Sequence, residues 1–555
     1  MPTTRPRSAQ PLPSHLEPRA APGELTARAL LAGLGIGVVL AIGNVYMGLK
    51  TGLWDSGSIT AAILGFGVLS RWSRGSHSPL EDNVVATTAS SVGAMPAVAG
   101  LLGAVPALAL LGRAPSGPLL VGWGVALGIL GVAVAAALRR RLLAEEALPF
   151  PSGLATAELI EAMHATPGER GRARVLLGAG VASAAFTTLR DGARLVPGVA
   201  AWSGSIAAVP GAALTLGIAW SPMLVGAGAI AGPQNGLSIL LGAAVAWVAI
   251  APALIARGAV ASAEYRDLVG WLVWPGMGLM LGGAAAALVS QAGAFVAGIR
   301  DVAALRRAPD PTLPRERGAG RIAGVGVAAA AIAALVLGRV GFELPVWQGV
   351  LALGFGAVLS TVCARAAGRT DISPAAEMGQ LTQTAWGAMS PGQPSVTIGA
   401  GAIPAGQAAE TAVALWSLQS GRRLGASPRA QVQAQLVGIA LGAVVAIPVY
   451  LLLVRAHGLG TAALPAPFAM QWRSVAEVVT RGAGALPAGA GRAAAVAFAA
   501  GVALDGLARR PIGRFLPSPM AVGMGAGEYT YAPSPVTGYR LTGYGQGGDI
   551  LITVP

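Results

Sequence analysis

Long apolar stretches, separated by short polar ones, run along most of this 555-residue chain. A helix needs about 20 consecutive apolar residues to cross the hydrocarbon core of a bilayer. The pattern therefore predicts an all-α, polytopic integral membrane protein. The apolar runs cover approximately residues 26–49, 56–70, 84–112, 118–138, 174–189, 195–220, 222–256, 266–297, 321–339, 345–366, 376–417, 431–454 and 487–508.

Several of these runs are too long for one straight span. Runs 84–112, 195–220 and 376–417 also carry proline or paired glycines in the middle. Broken helices leave backbone groups unpaired, which is tolerated only where they face protein or a water-lined cavity. We therefore expect about 12–16 transmembrane helices, with broken or re-entrant segments among them.

Composition agrees with the membrane assignment and narrows the function. Apolar residues make up 54% of the chain and charged residues only 11%, which excludes a soluble enzyme, a disordered chain and a coiled coil. The net charge of +14 comes from arginines between the apolar runs, so we assign it to cytoplasmic loops and not to nucleic-acid binding. Cys363 is the single cysteine, and no internal disulfide forms.

Four histidines are scattered along the chain and form no cluster with metal-ligand spacing, so we expect no built-in metal site and no bound cofactor. They are His15, His77, His164 and His457.

Polar segments divide the chain. We expect a disordered cytoplasmic tail (1–23), a first transmembrane half (24–300), a basic cytoplasmic linker (301–320), a second transmembrane half (321–515) and a divergent or truncated C-terminal segment (516–555). The first half contains an amphipathic cytoplasmic insertion at about 143–170. Similarity of 32–40 to 352–360 suggests a two-half internal repeat, which would place the substrate path between the halves.

Eight short stretches are too specific for composition to explain. They are GELTARALLAG (23–33), NVYMGLKTGL (44–53), EDNVVATTASS (81–91), LPFPSGLATAE (148–158), DISPAAEMGQLTQ (371–383), LGASPRAQVQAQ (424–435), LPAPFAM (464–470) and LPSPMAVGMG (516–525). In this order the chain resembles the oligopeptide transporter family, in particular prokaryotic members related to the yellow-stripe-like branch. The resemblance implies a proton-driven importer of small peptides or metal chelates, built from repeated helix pairs.

The chain departs from that family in two places. Residues 417–421 read SLQSG, where the family usually has an acid and a base. After LPSPMAVGMG the family continues into further spans, whereas 526–555 is polar and rich in glycine and tyrosine. If the family's acid and base serve coupling or substrate binding, the first departure alters that mechanism, and the second leaves out the last helix that the resemblance implies.

Carboxyl groups are the candidates for proton coupling, because burial disfavours their charged form and substrate binding can then change their protonation. The candidates are Asp55, Glu81, Asp82 and Glu410, with helix capping as the alternative role of the first three. Candidate substrate contacts are the polar residues carried into otherwise apolar segments, and for Lys50 the alternative is a side chain that extends to the interface. These residues are Asn44, Tyr46, Lys50, Glu377, Gln380, Thr382 and Gln383.

These observations predict a secondary active transporter in the inner (plasma) membrane, with its N-terminus in the cytoplasm. Its partners are then the bilayer, protons and a small peptide or peptide-like metal chelate, and a homo-oligomer remains open. Two alternatives are the permease component of an ATP-driven assembly and a membrane-embedded enzyme. An enzyme would need a catalytic motif such as HExxH or GxSxG, and the sequence contains neither.

Overall fold

The structure, a computed structural model, describes residues 23–508 except 53, 75, 165–169, 194, 197–198, 212–213, 215, 261–264, 291–318, 372, 462–463 and 483–485. It also describes 517, 522, 540–546 and 549–551. The predicted tail up to residue 22, most of the predicted linker and most of the C-terminal segment lie outside these residues.

Helices dominate the described residues, which confirms the all-α prediction. They are α1 (Ala27–Thr51), α2 (Ser58–Trp72), α3 (Pro79–Val98), α4 (Ala104–Leu110), α5 (Gly117–Arg139), α6 (Pro151–His164), α7 (Arg170–Thr187), α8 (Pro222–Ala244), α9 (Ala251–Ala256), α10 (Tyr265–Ser290), α11 (Ala319–Gly341), α12 (Val346–Thr370), α13 (Ala375–Met389), α14 (Pro394–Leu424), α15 (Pro428–His457), α16 (Pro467–Arg481) and α17 (Ala490–Ala508). Three π-helical turns, Arg140–Glu145, Thr188–Gly192 and Val245–Ile250, follow α5, α7 and α8.

Two of the three interrupted runs form the broken helices that the sequence predicts. Run 84–112 forms α3 and α4, with Gly100 at φ 75° in the turn between them. Run 376–417 forms α13 and α14, and the turn between them contains Gly392 at φ 75°. Glycine suits both turns because it reaches positive φ without a steric penalty.

Run 195–220 does not form the predicted span, and this expectation is wrong. It forms short antiparallel pairs, β1 (Val199–Ala201) with β4 (Gly217–Ala219), and β2 (Ser205–Ile206) with β3 (Val209–Pro210). Ala207 and Ala208 both have positive φ and close a two-residue hairpin turn. Pro210 has no N–H to donate within a helix, so the apolar composition of this run does not suffice for a helix.

Seven helices in the described part of the chain are long and apolar enough to cross a membrane. Many large apolar side chains on these helices are exposed, among them Val39, Val340 and Leu452. Soluble proteins rarely expose apolar surface on this scale, so these side chains face lipid. Together they indicate a multi-pass membrane protein.

The buried centre of the bundle consists of α3 and α14, which pack against each other. Nearly every residue of α3 from Glu81 to Val98 is buried, and so is most of α14. Both helices are rich in polar residues, and length and hydropathy therefore do not identify them as spans. Helix α6, in the predicted amphipathic insertion, packs one face against α2 and α14.

The order and length of the elements recur along the chain. Helices α1, α2, α3, α5 and α6 correspond in order to α12, α13, α14, α15 and α16, and the first two pairs match at 25 and 15 residues. The third helix of each set packs against the fourth helix of the other set: α3 packs against α15, and α14 packs against α5. An internal repeat whose halves complete each other predicts such reciprocal packing, and the repeat itself stays a prediction.

A repeated Leu-Pro-x-Pro sequence joins the two sets of helices reciprocally. The N–H of Phe150, in LPFP, donates to the carbonyl of Gly368 at the end of α12 at 3.0 Å. The N–H of Ala466, in LPAP, donates to the carbonyl of Leu49 at the end of α1 at 2.8 Å. Both donors have positive φ, 45° and 50°. Each half therefore satisfies a helix-terminal carbonyl of the other.

A partly buried ion pair gives the first testable prediction. Glu146 follows the candidate span Gly117–Glu145 and pairs with buried Arg365 at 2.7 Å and with Arg141 at 3.0 Å. Partial burial raises the pKa of Glu146, but the two guanidinium groups outweigh it, so the pKa lies below its usual value. This group therefore stabilises the fold above its unfolded pKa, and the contribution disappears as the pH falls through the folded pKa.

We expect Glu146→Gln to lower the unfolding temperature at neutral pH and to make it less sensitive to acidification toward about pH 4. Glu145→Gln is the matched control, because Glu145 and its partner Arg140 are both more than half exposed. Exposed pairs contribute little. Thermal unfolding of the purified protein at a series of pH values measures both, and equal effects of the two variants would contradict the prediction.

Candidate functional site

A row of buried polar side chains lies where α3, α14 and α15 meet, and we call it the central polar seam. Their spacing by three, four or seven residues places those of each helix on one face. Each is at most 3% exposed. The seam consists of Asn83, Thr87 and Ser91 on α3, Glu410, Ser417 and Ser420 on α14, and Gln431 and Gln435 on α15.

One end of the seam is closed by a hydrogen-bond network across the three helices. Asn83 donates to the hydroxyl of Ser420 at 2.8 Å and accepts from the amide of Gln431 at 2.8 Å. Gln431 also donates to the carbonyl of Ser417 at 2.6 Å, and so does Ser420 at 2.8 Å. The network fixes how α3, α14 and α15 sit at this end.

Glu410 lies further along the seam and is fully buried. Neither of its carboxylate oxygens has a hydrogen-bond partner among the described residues, and the hydroxyl of Ser91 on α3 is a polar group that faces it. Gly131 of α5 packs directly against it, since a Cβ at Gly131 would lie 2.6 Å from Cβ of Glu410. A carboxyl in such surroundings is more stable in its neutral form.

Other buried atoms of the seam also lack a hydrogen-bond partner in the part of the chain that the structure describes. They are the hydroxyls of Thr87, Ser91 and Ser417 and the Oε1 atom of Gln435. An unpaired polar atom away from water is costly, and such groups concentrate where a protein binds or moves something. In a membrane protein, intramembrane polar groups of this kind mark substrate or ion pathways.

A second polar face lies on α13, where it packs against α16. The amide of Gln380 donates to Gln471 at 3.1 Å, and that of Gln383 donates to the carbonyl of Trp472 at 2.8 Å. The Oε1 of Gln383 and the Nε2 of Gln471 have no partner within the described residues. This face therefore carries amide atoms that can still donate or accept a hydrogen bond.

The other two candidates on α13 differ in their surroundings. Glu377 is 9% exposed and lies in the first turn of the helix. Thr382 is fully buried, and its hydroxyl donates to the carbonyl of Met378 at 2.8 Å within the same helix.

The candidate residues on α1 and in the loop after it lie in different surroundings. Asn44 is buried and its amide joins two elements, donating to the carbonyls of Asp55 at 2.6 Å and Gly93 at 2.7 Å. Asp55 lies in the loop after α1, where one carboxylate oxygen accepts from the N–H of Gly57 at 2.9 Å. Asn44 thus holds this loop against the middle of α3.

Tyr46 and Lys50 lie one turn apart near the end of α1. The ammonium of Lys50 donates to the hydroxyl of Tyr46 at 3.3 Å, and Tyr46 is 46% exposed. This places the two side chains at the surface of the described bundle.

Glu81 and Asp82 begin α3, and both are fully buried. Glu81 completes a capping box with Ser78 and pairs with Arg28 at 2.7 Å. Asp82 lies between two histidines, His164 at 2.6 Å and His77 at 3.2 Å. The histidines are 87 residues apart in sequence, so their spacing gave no signal for this cluster.

The structure thus distributes the predicted residues over several places instead of one pocket. Glu410 lies in the central polar seam, while Gln383 packs beside Gly401 of α14, about 13 Å from Glu410 by the rise of the helix. Sequence reasoning missed Gln431 and Gln435 as members of the seam. Their helical spacing carried a signal, because two residues four apart lie on one face of a helix.

The sequence profile of the OPT oligopeptide transporter protein family matches residues 24–537 of this chain. A putative oligopeptide transporter of Haemophilus influenzae is 32% identical over 216 residues, which is 38% of this chain and 32% of that protein. A putative oligopeptide transporter of Saccharomyces cerevisiae is 23% identical and aligns with 82% of this chain and 81% of its own length. A metal-nicotianamine transporter of Arabidopsis thaliana is 26% identical over 90% of this chain and 84% of its own length.

Proposed function

The chain belongs to the OPT oligopeptide transporter family, and we propose that it is a secondary active transporter that imports small peptides or peptide-like metal chelates. Family membership places it among transporters and not among enzymes. The proposed driving force is an inward proton gradient. The observation that carries this proposal is Glu410, a fully buried carboxyl with two unpartnered oxygens at the centre of the bundle.

Alternating access is the proposed mechanism. The central polar seam lies between α3 and α14, which occupy equivalent places in the two sets of repeated helices. The reciprocal bonds from Phe150 to Gly368 and from Ala466 to Leu49 couple the ends of these sets. Two halves of this kind can rock against each other around a site between them.

Glu410 is the proposed principal proton carrier. When it is neutral, the helices around it can close without burying a charge, and when it is ionised the seam must open toward water or a cation. Asp55, Glu81 and Asp82 are further carboxyls of the proposed coupling set. Of these, Glu81 already has a guanidinium partner in Arg28, which favours a structural contribution.

The polar face of α13 is the proposed substrate contact. Gln380 and Gln383 offer amide groups of the type that pair with peptide bonds and carboxylates. Glu377 and Thr382 lie on the same helix, and Asn44, Tyr46 and Lys50 on α1 complete the proposed set. The relatives named above are described as carriers of oligopeptides or of metal-nicotianamine complexes, so both substrate classes are tested.

The proposed location is the inner (plasma) membrane, with the N-terminus in the cytoplasm. The support is the arginine content of the segments between the apolar runs, such as Arg139, Arg140 and Arg141 after α5. A homo-oligomer is the alternative to a monomer, and the mass of the detergent-solubilised protein distinguishes them.

Uptake by proteoliposomes that contain the purified full-length chain tests the proposed function. A mixed pool of di- to pentapeptides, with and without iron or nickel chelates, is offered under an imposed inward proton gradient. We expect accumulation of one substrate class that collapses when a protonophore is added. The same vesicles without a gradient are the control, and accumulation that depends on added ATP and an ATPase partner would contradict the proposal.

A further inference from the structure

We propose that His77, Asp82 and His164 form a binding site for a divalent first-row transition-metal ion. The three side chains come from the loop before α3, the first turn of α3 and the last turn of α6. Their ligand atoms all lie within 4.8 Å of one another. The inference does not rest on the proposed transport function.

The donor set selects the class of ion. Two imidazole nitrogens and one carboxylate oxygen suit zinc, cobalt, nickel or iron, whereas magnesium and calcium prefer sites made of oxygen atoms only. Around a tetrahedral zinc ion with bonds of about 2.0–2.1 Å, ligand atoms lie about 3.3 Å apart. Oδ2 of Asp82 is 3.2 Å from Nε2 of His77 and 2.6 Å from Nε2 of His164. A small rotation of the His164 side chain therefore gives the required spacing.

The hydrogen bonds around His77 leave its Nε2 atom available to bind a metal ion. The hydroxyl of Ser73 donates its proton to the carbonyl of Leu69 at 2.6 Å, so its oxygen can accept from Nδ1 of His77 at 3.4 Å. With the proton on Nδ1, Nε2 presents a lone pair toward Asp82. In metal sites, the ring nitrogen that does not bind the ion usually donates a hydrogen bond, which orients the histidine.

Two buried atoms in this cluster lack a hydrogen-bond partner among the described residues. They are Nε2 of His77 and Oδ1 of Asp82. The side chain of Asp82 is fully buried and that of His77 is 3% exposed. With the proton of His77 on Nδ1, its Nε2 faces the other carboxylate oxygen of Asp82, Oδ2, at 3.2 Å, so the two lone pairs repel. A cation bound between them removes both the repulsion and the cost of the buried carboxylate.

The surroundings hold the ligands in place and add no competing charge. Phe66 packs edge-on against both imidazoles, with ring centroids 5.1 Å from His77 and 5.2 Å from His164. The neighbouring Glu81 is neutralised by Arg28. His164 is 18% exposed and gives the ion a route from solvent. A fourth position remains for water, as in sites with three protein ligands.

A metal ion here would tie α6 to α2 and α3. His164 is the last residue of α6, which otherwise packs by a face of small and apolar residues. On binding, the ion takes the place of the proton between Nε2 of His164 and Asp82, and the neutral imidazole of His164 then carries that proton on Nδ1.

Titration of the metal-stripped, full-length protein in detergent, without an affinity tag, tests the site. Cobalt(II) is the probe, because tetrahedral coordination gives it visible absorption bands. We expect one cobalt ion per chain, displaced by Zn²⁺, and a higher unfolding temperature with either ion. His77→Gln, His164→Gln and Asp82→Asn should each weaken binding at least about tenfold.

His457→Gln is the matched control, because His457 is exposed at the end of α15, away from this cluster. It should bind cobalt as the wild type does. If Asp82→Asn does not fold, the two histidine variants decide, since His164 is at a partly exposed helix end. A wild-type protein that binds no metal, or variants that bind as tightly as wild type, would overturn the proposal. No transport substrate is present, so the result is independent of the uptake experiment.

Discussion

Glu410→Gln is expected to abolish proton-driven accumulation of substrate while the protein still folds and inserts. Glutamine has nearly the shape of a protonated glutamate and cannot release a proton. Because Glu410 is fully buried and both of its oxygens lack partners among the described residues, replacement by a neutral amide removes no hydrogen bond. The loss should therefore be one of coupling and not of stability.

Two assays in proteoliposomes distinguish a loss of proton coupling from a general loss of function. Net uptake under an inward proton gradient should fall to the level seen without a gradient. Exchange of labelled for unlabelled substrate at equal pH should persist, because a permanently neutral residue still permits the halves to move with substrate bound.

Glu343→Gln is the control for Glu410→Gln, since its side chain is 58% exposed and pairs with Arg113 at the surface. It should leave both assays unchanged. Normal pH-dependent accumulation by Glu410→Gln would remove this residue from the coupling mechanism.

Gly406→Ala is expected to destabilise the bundle core strongly. Gly406 lies on α14 where it crosses α3 and α5. A Cβ at this position would lie 2.4 Å from the carbonyl oxygen of Val98 and 2.7 Å from a methyl carbon of Leu127. Backbone cannot rotate away, so the helices must separate, and overpacking of this kind costs about 1–3 kcal/mol or more.

Gly354→Ala is the matched comparison. Gly354 is also inside a long helix, α12, but nothing lies within 4 Å of a Cβ placed there. Alanine favours helix over glycine, so this variant should unfold at the same temperature as wild type or slightly higher. Thermal unfolding in detergent, followed by tryptophan fluorescence, measures both. Equal unfolding temperatures for the two variants would show that α14 does not approach α3 as closely as the structure has it.

The small residues explain why polar helices can occupy the centre of this protein. Gly438 of α15 would place a Cβ 2.6 Å from the carbonyl of Thr88, and Gly131 of α5 abuts Glu410. Close backbone contact supplies the packing energy that apolar side chains supply elsewhere, since lipid gives no hydrophobic drive for helices to associate. The abundance of glycine therefore has a structural reason in this bundle.

The apolar runs were sufficient to predict a polytopic helical membrane protein, because each transmembrane helix must satisfy its own backbone within one continuous segment. The interruptions in 84–112 and 376–417 were predictable for the same local reason: glycine and proline act on their own turn of the chain. The run 195–220 shows where this reasoning fails. Apolar composition does not distinguish a span from short paired strands once proline and hairpin turns intervene.

Sequence by itself thus determined the class of the protein, its broken helices and, through eight ordered motifs, the family it resembles. These depend on residues near one another in the chain. Tertiary structure alone decided which polar residues meet: Asn83 with Ser420 and Gln431, and Asp82 with His77 and His164. Such contacts join helices far apart in sequence. They depend on how the helices cross, and the close crossings depend on glycines whose partners no local pattern identifies.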